Sequence, residues 1–294
     1  MHVAILGAGT MGHGIAQVSA MAGHDVSLRD IEADIVDDGL AAIESNLQEG
    51  IAREKVTEST AEATLDRLTG TTSLEEAVTG ADLVVEAVPE DMEIKHETLT
   101  EVESHVDTAT LIASNTSSLS LTEIASVLTY PDRAIGLHFF NPVHIMALVE
   151  IVVAEQTSAE TVSRAREFVH GIDKTPVEVA DTPGFASSRL GVSLGVEAMR
   201  MVQEGVATPQ DIDTAMELGY NHPMGPIELG DVVGLDVRLD ILEYLRAELG
   251  ERFRPPQILK RKVRAGKLGR KSGEGFYVWE DGDIVGTSGD WGDA

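Results

Sequence analysis

A chain of 294 residues, 43% of them hydrophobic and 28 of them glycine, is long enough for one large domain or two modest ones with a buried core. Fifty acidic residues against 22 basic ones give a formal net charge of −28, a field that disfavours nucleic acid and anionic membranes as partners. The chain has no cysteine and no apolar run near the ~20 residues of a membrane span, so disulfides, thiol chemistry and transmembrane helices are excluded and a cytoplasmic location is expected.

The acidic residues are spread along the chain, few of the cations are lysine, and aromatics make up only 4%. This resembles the surface of a protein adapted to high salt, where screening removes self-repulsion.

In chain order, Met1-His2 leads directly into the apolar strand Val3–Leu6, without the basic segment of a signal peptide. Gly7-Ala8-Gly9-Thr10-Met11-Gly12 and a helix-period run follow. In that context GxGxxG assigns each glycine a task. Gly7 allows a tight turn, Gly9 lets the backbone approach a pyrophosphate, and Gly12 lets helix and strand pack closely. A second strand ends at Asp30, 23 residues past Gly7, where the partner of a ribose 2′-hydroxyl belongs. Its charge also repels a 2′-phosphate, so NAD is expected over NADP, although Arg29 beside it is of the type that accommodates such a phosphate.

From Ile31 to Leu68 the spacing of Ile35, Leu40, Ile43 and Leu47 predicts helix. A short strand near RLTGTTS, a helix from Leu74 and the buried strand of ADLVVEAVPED come next. Helix EIKHETLTEVESHV and strand TLIASNTSSLS complete a βαβ series. Glu86, Glu90, Asn115, Ser117 and Ser118 stand at ends of these parallel strands, where ligands bind. Ordinary turn and capping chemistry accounts for such residues as well.

HFFNPVHIMALVE, His138 to Glu150, carries the most chemistry. Asn141-Pro142 makes a turn between two apolar runs. Strands ending at His138 and running through Leu148–Val153 would set imidazole and carboxylate side by side, a base with a partner to orient it. A lone histidine is more often packed or solvated, but a carboxylate among Leu148, Val149, Ile151, Val152 and Val153 is costly to bury unpaired. With no cysteine, no HExxH and a proline between His138 and His144, no metal site is expected.

DKTPVEVADTPGF reads as the last strand and a boundary at Pro183-Gly184, giving a dinucleotide-binding domain over 1–184 and an all-α domain over 185–294. RLGVSLGVEAMRMVQEG predicts a long helix closed by Gly205, Thr208-Pro209 starts another, and a third runs on from Pro226. Met199, Met201 and Met216 read as core. Lys262, Arg264, Lys267, Arg270 and Lys271 form a basic cluster read mainly as local charge balance, and the Gly/Asp-rich tail after Trp279 is expected to be mobile.

GAGTMGHGIAQ, EAVPEDMEIK, SNTSSL, HFFNPV and PGF, in this order and spacing, resemble the 3-hydroxybutyryl-CoA and 3-hydroxyacyl-CoA dehydrogenase family, through to GRKSGEGFY. The resemblance implies an α/β fold, a Rossmann-like doubly wound sheet followed by a helical domain that pairs subunits into a homodimer. It implies NAD-dependent oxidation of an (S)-3-hydroxyacyl-CoA to the 3-ketoacyl-CoA. His138 would be the acid/base, Glu150 would hold its imidazole, and Ser117 would hydrogen-bond the substrate's 3-oxygen. Gly7, Gly9, Thr10, Met11, Gly12, Asp30, Glu90, Lys95 and Asn115 are the expected cofactor contacts, with Glu90 and Lys95 at the ribose. Ser117, Asn141 and Ser188 are the expected substrate contacts. Ser188, in PGFASSRL, stands where the family usually has an asparagine that positions the acyl portion. That departure keeps a second enzyme reading open, a dehydrogenase of a non-CoA hydroxy acid such as a sugar acid. A non-catalytic NAD-binding protein is the alternative of another class.

Overall fold

The opening apolar run forms β1 (His2–Leu6), in which Val3 and Ile5 enter one core layer and Ala4 and Leu6 the other, all fully buried. Burial on both faces is what a central parallel strand requires. The computed structural model describes residues 1–289, and the chain divides into a unit Met1–Phe185 and a unit Ala186–Ala294.

In the first unit β1 is followed by α1 (Thr10–Met21), β2 (Asp25–Arg29), α2 (Ala33–Ala52), α3 (Glu58–Leu65) and β3 (Leu68–Thr71). The helical stretch expected between 31 and 68 is made of two helices. Glu54 takes a left-handed φ of 56°, and Thr57 starts a new helix by accepting from the Thr60 N–H. The chain continues through α4 (Leu74–Val78), β4 (Leu83–Glu86), α5 (Met92–His105), β5 (Leu111–Ser114), α6 (Leu121–Ala125), β6 (Ala134–Phe139), β7 (Leu148–Val153), α7 (Ala159–Gly171) and β8 (Thr175–Ala180).

The eight strands form one sheet in the order β3-β2-β1-β4-β5-β6-β7-β8. All neighbours are parallel except β6 and β7, which are antiparallel. The strand order reverses around β1, the switch point at which doubly wound sheets bind ligands. Only residues 140–147 join β6 to β7; so short a link suits an antiparallel pair, since parallel strands need a crossover of a dozen residues or more.

The second unit contains α8 (Ser187–Glu204), α9 (Pro209–Tyr220), α10 (Pro226–Val233), α11 (Leu235–Leu249) and α12 (Gln257–Arg264) around a core that includes Met199, Ile227, Leu235, Leu242 and Phe276. Gly205 ends α8 at φ 70°, and the Thr208 hydroxyl caps α9. The helix expected to run on from Pro226 is broken at Gly234, whose φ of 107° lies outside the helical region. The all-α expectation needs one correction. β9 (Tyr277–Glu280) and β10 (Asp283–Thr287) pair antiparallel, joined by Asp281-Gly282, both at positive φ. Asp-Gly is the two-residue hairpin turn whose twist matches the flanking strands. The tail expected to be mobile after Trp279 is therefore in part a strand, and 290–294 lie outside the described residues.

Within the basic cluster, Lys267 pairs with Glu274, Lys271 with Asp236, and the Lys262 ammonium sits 4.8 Å from the Phe276 ring centre. Burial lowers the Lys262 pKa to about 8. Among the described residues no helix is long and apolar enough to cross a membrane.

Candidate active site

Each fingerprint glycine meets a different demand. Gly7 has φ +104°, and a Cβ there would lie 2.5 Å from the Ala87 carbonyl oxygen. A Cβ on Gly12 would overlap the Gly7 carbonyl, whereas one on Gly9 would meet nothing within 4 Å. The open space at Gly9 lies at the start of α1, where no side chain caps the first N–H groups. Thr10 is exposed there and Met11 half-buried. An uncapped helix N-terminus beside unfilled space fits a pyrophosphate. Asp30, at the end of β2, turns toward the same loop: one carboxylate oxygen accepts from the Ala8 N–H at 2.7 Å, the other from the Ile31 N–H at 2.7 Å. Arg29 is engaged elsewhere, donating from Nε to the Thr72 carbonyl at 3.3 Å.

At the ends of β4 and β5, Glu90 gathers the segment that follows β5. Its Oε1 accepts from Thr116 Oγ1 at 2.7 Å, from the Ser117 N–H at 2.9 Å and from the Ser118 N–H at 3.1 Å. Ser117 Oγ is a looser neighbour at 3.4 Å. Burial works against ionisation of Glu90, but the Lys95 charge and the bonds from Thr116 and Ser117 together outweigh it and hold the pKa below the ordinary carboxylate value.

Lys95 is 1% exposed and lies 2.7 Å from Glu86 and 3.3 Å from Glu90. Lys95 is thus enclosed by the two carboxylates, and its ammonium braces Glu90. Glu86, read as a ligand-facing residue, is also buried, and it accepts from Lys95, Ser114 Oγ and the Val88 N–H. A signal for this was present. Lys95 shares the buried face of α5 with Leu99 and Val102, and a lysine on an apolar stripe needs a buried partner. Asn115 turns its amide oxygen to the Phe139 N–H at 2.9 Å, tying β5 to the end of β6.

His138 and Glu150 are register partners across β6 and β7. Directly opposed residues project from the same face of a sheet, and His138 Nδ1 lies 2.8 Å from Glu150 Oε2. His138 is 6% exposed and Glu150 1%. The imidazole packs against the rings of Phe140, at 4.5 Å between centres, and Phe185, at 5.7 Å. An ionised carboxylate only accepts, so Nδ1 carries the proton and Nε2 presents a lone pair when the ring is neutral.

The 140–147 connection, which holds Asn141 and a cis Asn141-Pro142 peptide, borders a cavity of about 370 Å³. Thr10, His13, Asn46, Arg53 and His144 share its lining. The sequence reading missed this cavity because α1, α2 and the connection meet only through the fold. Burial lowers the pKa of both His13 and His144. Ser188 lies in α8 of the second unit. Among the described residues no cluster of three or more His, Cys, Asp or Glu can hold a metal ion.

Comparison with known proteins identifies the chemistry. Residues 2–182 match the 3-hydroxyacyl-CoA dehydrogenase NAD binding domain, and residues 184–279 match the C-terminal domain of the same family. A probable 3-hydroxybutyryl-CoA dehydrogenase of Bacillus subtilis is 43% identical over 95% of this chain and 97% of its own. The 3-hydroxybutyryl-CoA dehydrogenase of Clostridioides difficile is 42% identical over 94% of this chain and 99% of its own. The crystal structure of (S)-3-hydroxybutyryl-CoA dehydrogenase from Ralstonia eutropha is similar with a TM-score of 0.92 and 41% identity, covering 95% of this chain and 99% of that one. The chain, with a dinucleotide loop that fits its cofactor, belongs to the NAD-dependent 3-hydroxyacyl-CoA dehydrogenase family of oxidoreductases.

Proposed function

We propose that this enzyme oxidises short-chain (S)-3-hydroxyacyl-CoA, such as 3-hydroxybutyryl-CoA, reversibly to the 3-ketoacyl-CoA, with His138 as acid/base and Glu150 as its orienting partner. The observation that carries the proposal is the 2.8 Å contact between His138 Nδ1 and Glu150, made by register partners on adjacent strands. Nε2 takes the substrate hydroxyl proton in oxidation and returns it to the developing alkoxide in reduction. Glu150 stabilises the imidazolium formed between. Bound NAD supplies the hydride acceptor. Ser117 donates to the substrate's 3-oxygen, and Glu90 keeps the Ser117 backbone in place for it.

A homodimer through the second unit is supported by the exposed apolar side chains Leu190, Leu218 and Tyr220, at 71, 83 and 76% exposure. The charge of −28 supports a cytoplasmic setting of high ionic strength.

The test is loss of NADH absorbance with acetoacetyl-CoA in molar KCl, run beside NAD with a free sugar acid. Rapid NADH consumption with the CoA ester is expected. Turnover of the free acid alone would keep the dyad and replace the substrate. Silence with both, in folded protein that binds NADH, would favour a non-catalytic role.

A further inference from the structure

The connection between the two dyad strands is held from outside by a residue with no part in the chemistry above. Lys174, immediately before β8, is 9% exposed. Its ammonium donates to the carbonyls of Val143 at 2.7 Å and Met146 at 2.8 Å, and the next residue, Thr175, donates its N–H to Ala147 at 2.7 Å. Three carbonyls of the connection are thus bound by two consecutive residues. Inside it, the Pro142 carbonyl accepts from the N–H groups of Ile145 and Met146, closing a turn. On the opposite side Val143 is buried against α1, so closely that a Cβ on Gly14 would stand 2.8 Å from the Val143 Cβ. The turn is therefore clamped between a buried ammonium and the backbone of the helix that begins at the dinucleotide loop. It forms one wall of the cavity that Thr10 and His13 bound from α1.

We propose that Lys174 is a positioning residue for the acyl thioester substrate: through the 140–147 connection it sets where Asn141 and His144 stand at the cavity wall. The inference rests on the substrate reading of the preceding section. Two features separate it from a merely structural role. First, the ammonium is a local support, and removing it leaves two carbonyl acceptors unsatisfied, which the turn relieves by moving toward water. Second, His138 and Glu150 belong to paired strands whose ladder does not involve Lys174. Loss of the clamp should therefore weaken substrate binding and leave proton transfer intact.

The experiment is steady-state kinetics of Lys174→Met, an apolar side chain of similar length, and Lys174→Arg, which keeps a buried donor. The substrates are acetoacetyl-CoA and NADH in molar KCl. Lys174→Met should raise KM for acetoacetyl-CoA about tenfold, with kcat and the KM for NADH within about twofold, and Lys174→Arg should recover part of the loss. Gly14→Ala pushes the turn from its other side and should raise the same KM, which keeps the test decisive if Lys174→Met does not fold. An unchanged KM for acetoacetyl-CoA in the folded variants overturns the inference. So does a fall in kcat alone, which would mean that the clamp aligns the dyad. If the unmodified enzyme ignores acetoacetyl-CoA, the substrate reading itself falls and takes this inference with it.

Discussion

Two carboxylates near strand ends of the first unit do opposite work. Glu150 faces His138 across an antiparallel pair and meets it through one oxygen at 2.8 Å. Glu90 sits in the loop after β4 and collects Thr116, Ser117, Ser118 and Lys95. A carboxylate that meets a titratable ring across a strand pair can fix its tautomer and answer a charge that comes and goes. A carboxylate held by several donors and a lysine stays charged, and serves as a fixed point for the backbone around it. The difference lies in the neighbours, not in the residue type.

The sharpest way to break the comparison is at the ring. His138→Gln should lower kcat by about a thousandfold, the range of a lost general acid/base, while NADH still binds as judged by fluorescence titration. Glu150→Gln keeps the shape but not the charge. It should cost about a hundredfold in kcat and leave the KM for NADH nearly unchanged in the same assay. If Glu150→Gln proved as mild as a surface change, the pairing would be packing only. Glu90→Gln, in contrast, retains an acceptor for Ser117 and Ser118 while removing the charge that answers Lys95. A loss of about tenfold in kcat/KM is expected from it.

The smallest effect is a pH effect. Because the folded pKa of Glu90 lies below the ordinary 4.5, its contribution to stability is complete above that value and lost as pH falls through the folded pKa. Acid unfolding followed by circular dichroism should therefore show Glu90→Gln losing less stability than the unmodified protein below about pH 4.5.

Much of this was legible in the residues, for identifiable reasons. The glycine fingerprint, Asp30 and the strand series depend on spacing within one βαβ unit. The His138–Glu150 pair depends on a turn at Asn141-Pro142 and on strand alternation, both local. What escaped the sequence depends on where distant segments meet. The grip of Glu90 on 116–118 joins the loops after β4 and β5. The hold of Lys174 on the 140–147 turn, and the contact of Gly14 with Val143, join elements far apart in the chain. The break at Gly234 was missed because periodicity carries across a single residue of irregular φ. The Asp281-Gly282 turn is a hairpin signal set in a Gly/Asp-rich composition that by itself reads as a mobile tail.

The antiparallel placing of β6 and β7 has a consequence for the link between them. With both members of the pair on one rung of the ladder, their spacing is inherited from backbone hydrogen bonds. The eight residues from 140 to 147 can then lengthen, shorten or change polarity while imidazole and carboxylate stay in register. Such a hairpin can change its tip without disturbing the pairing of imidazole and carboxylate at its base.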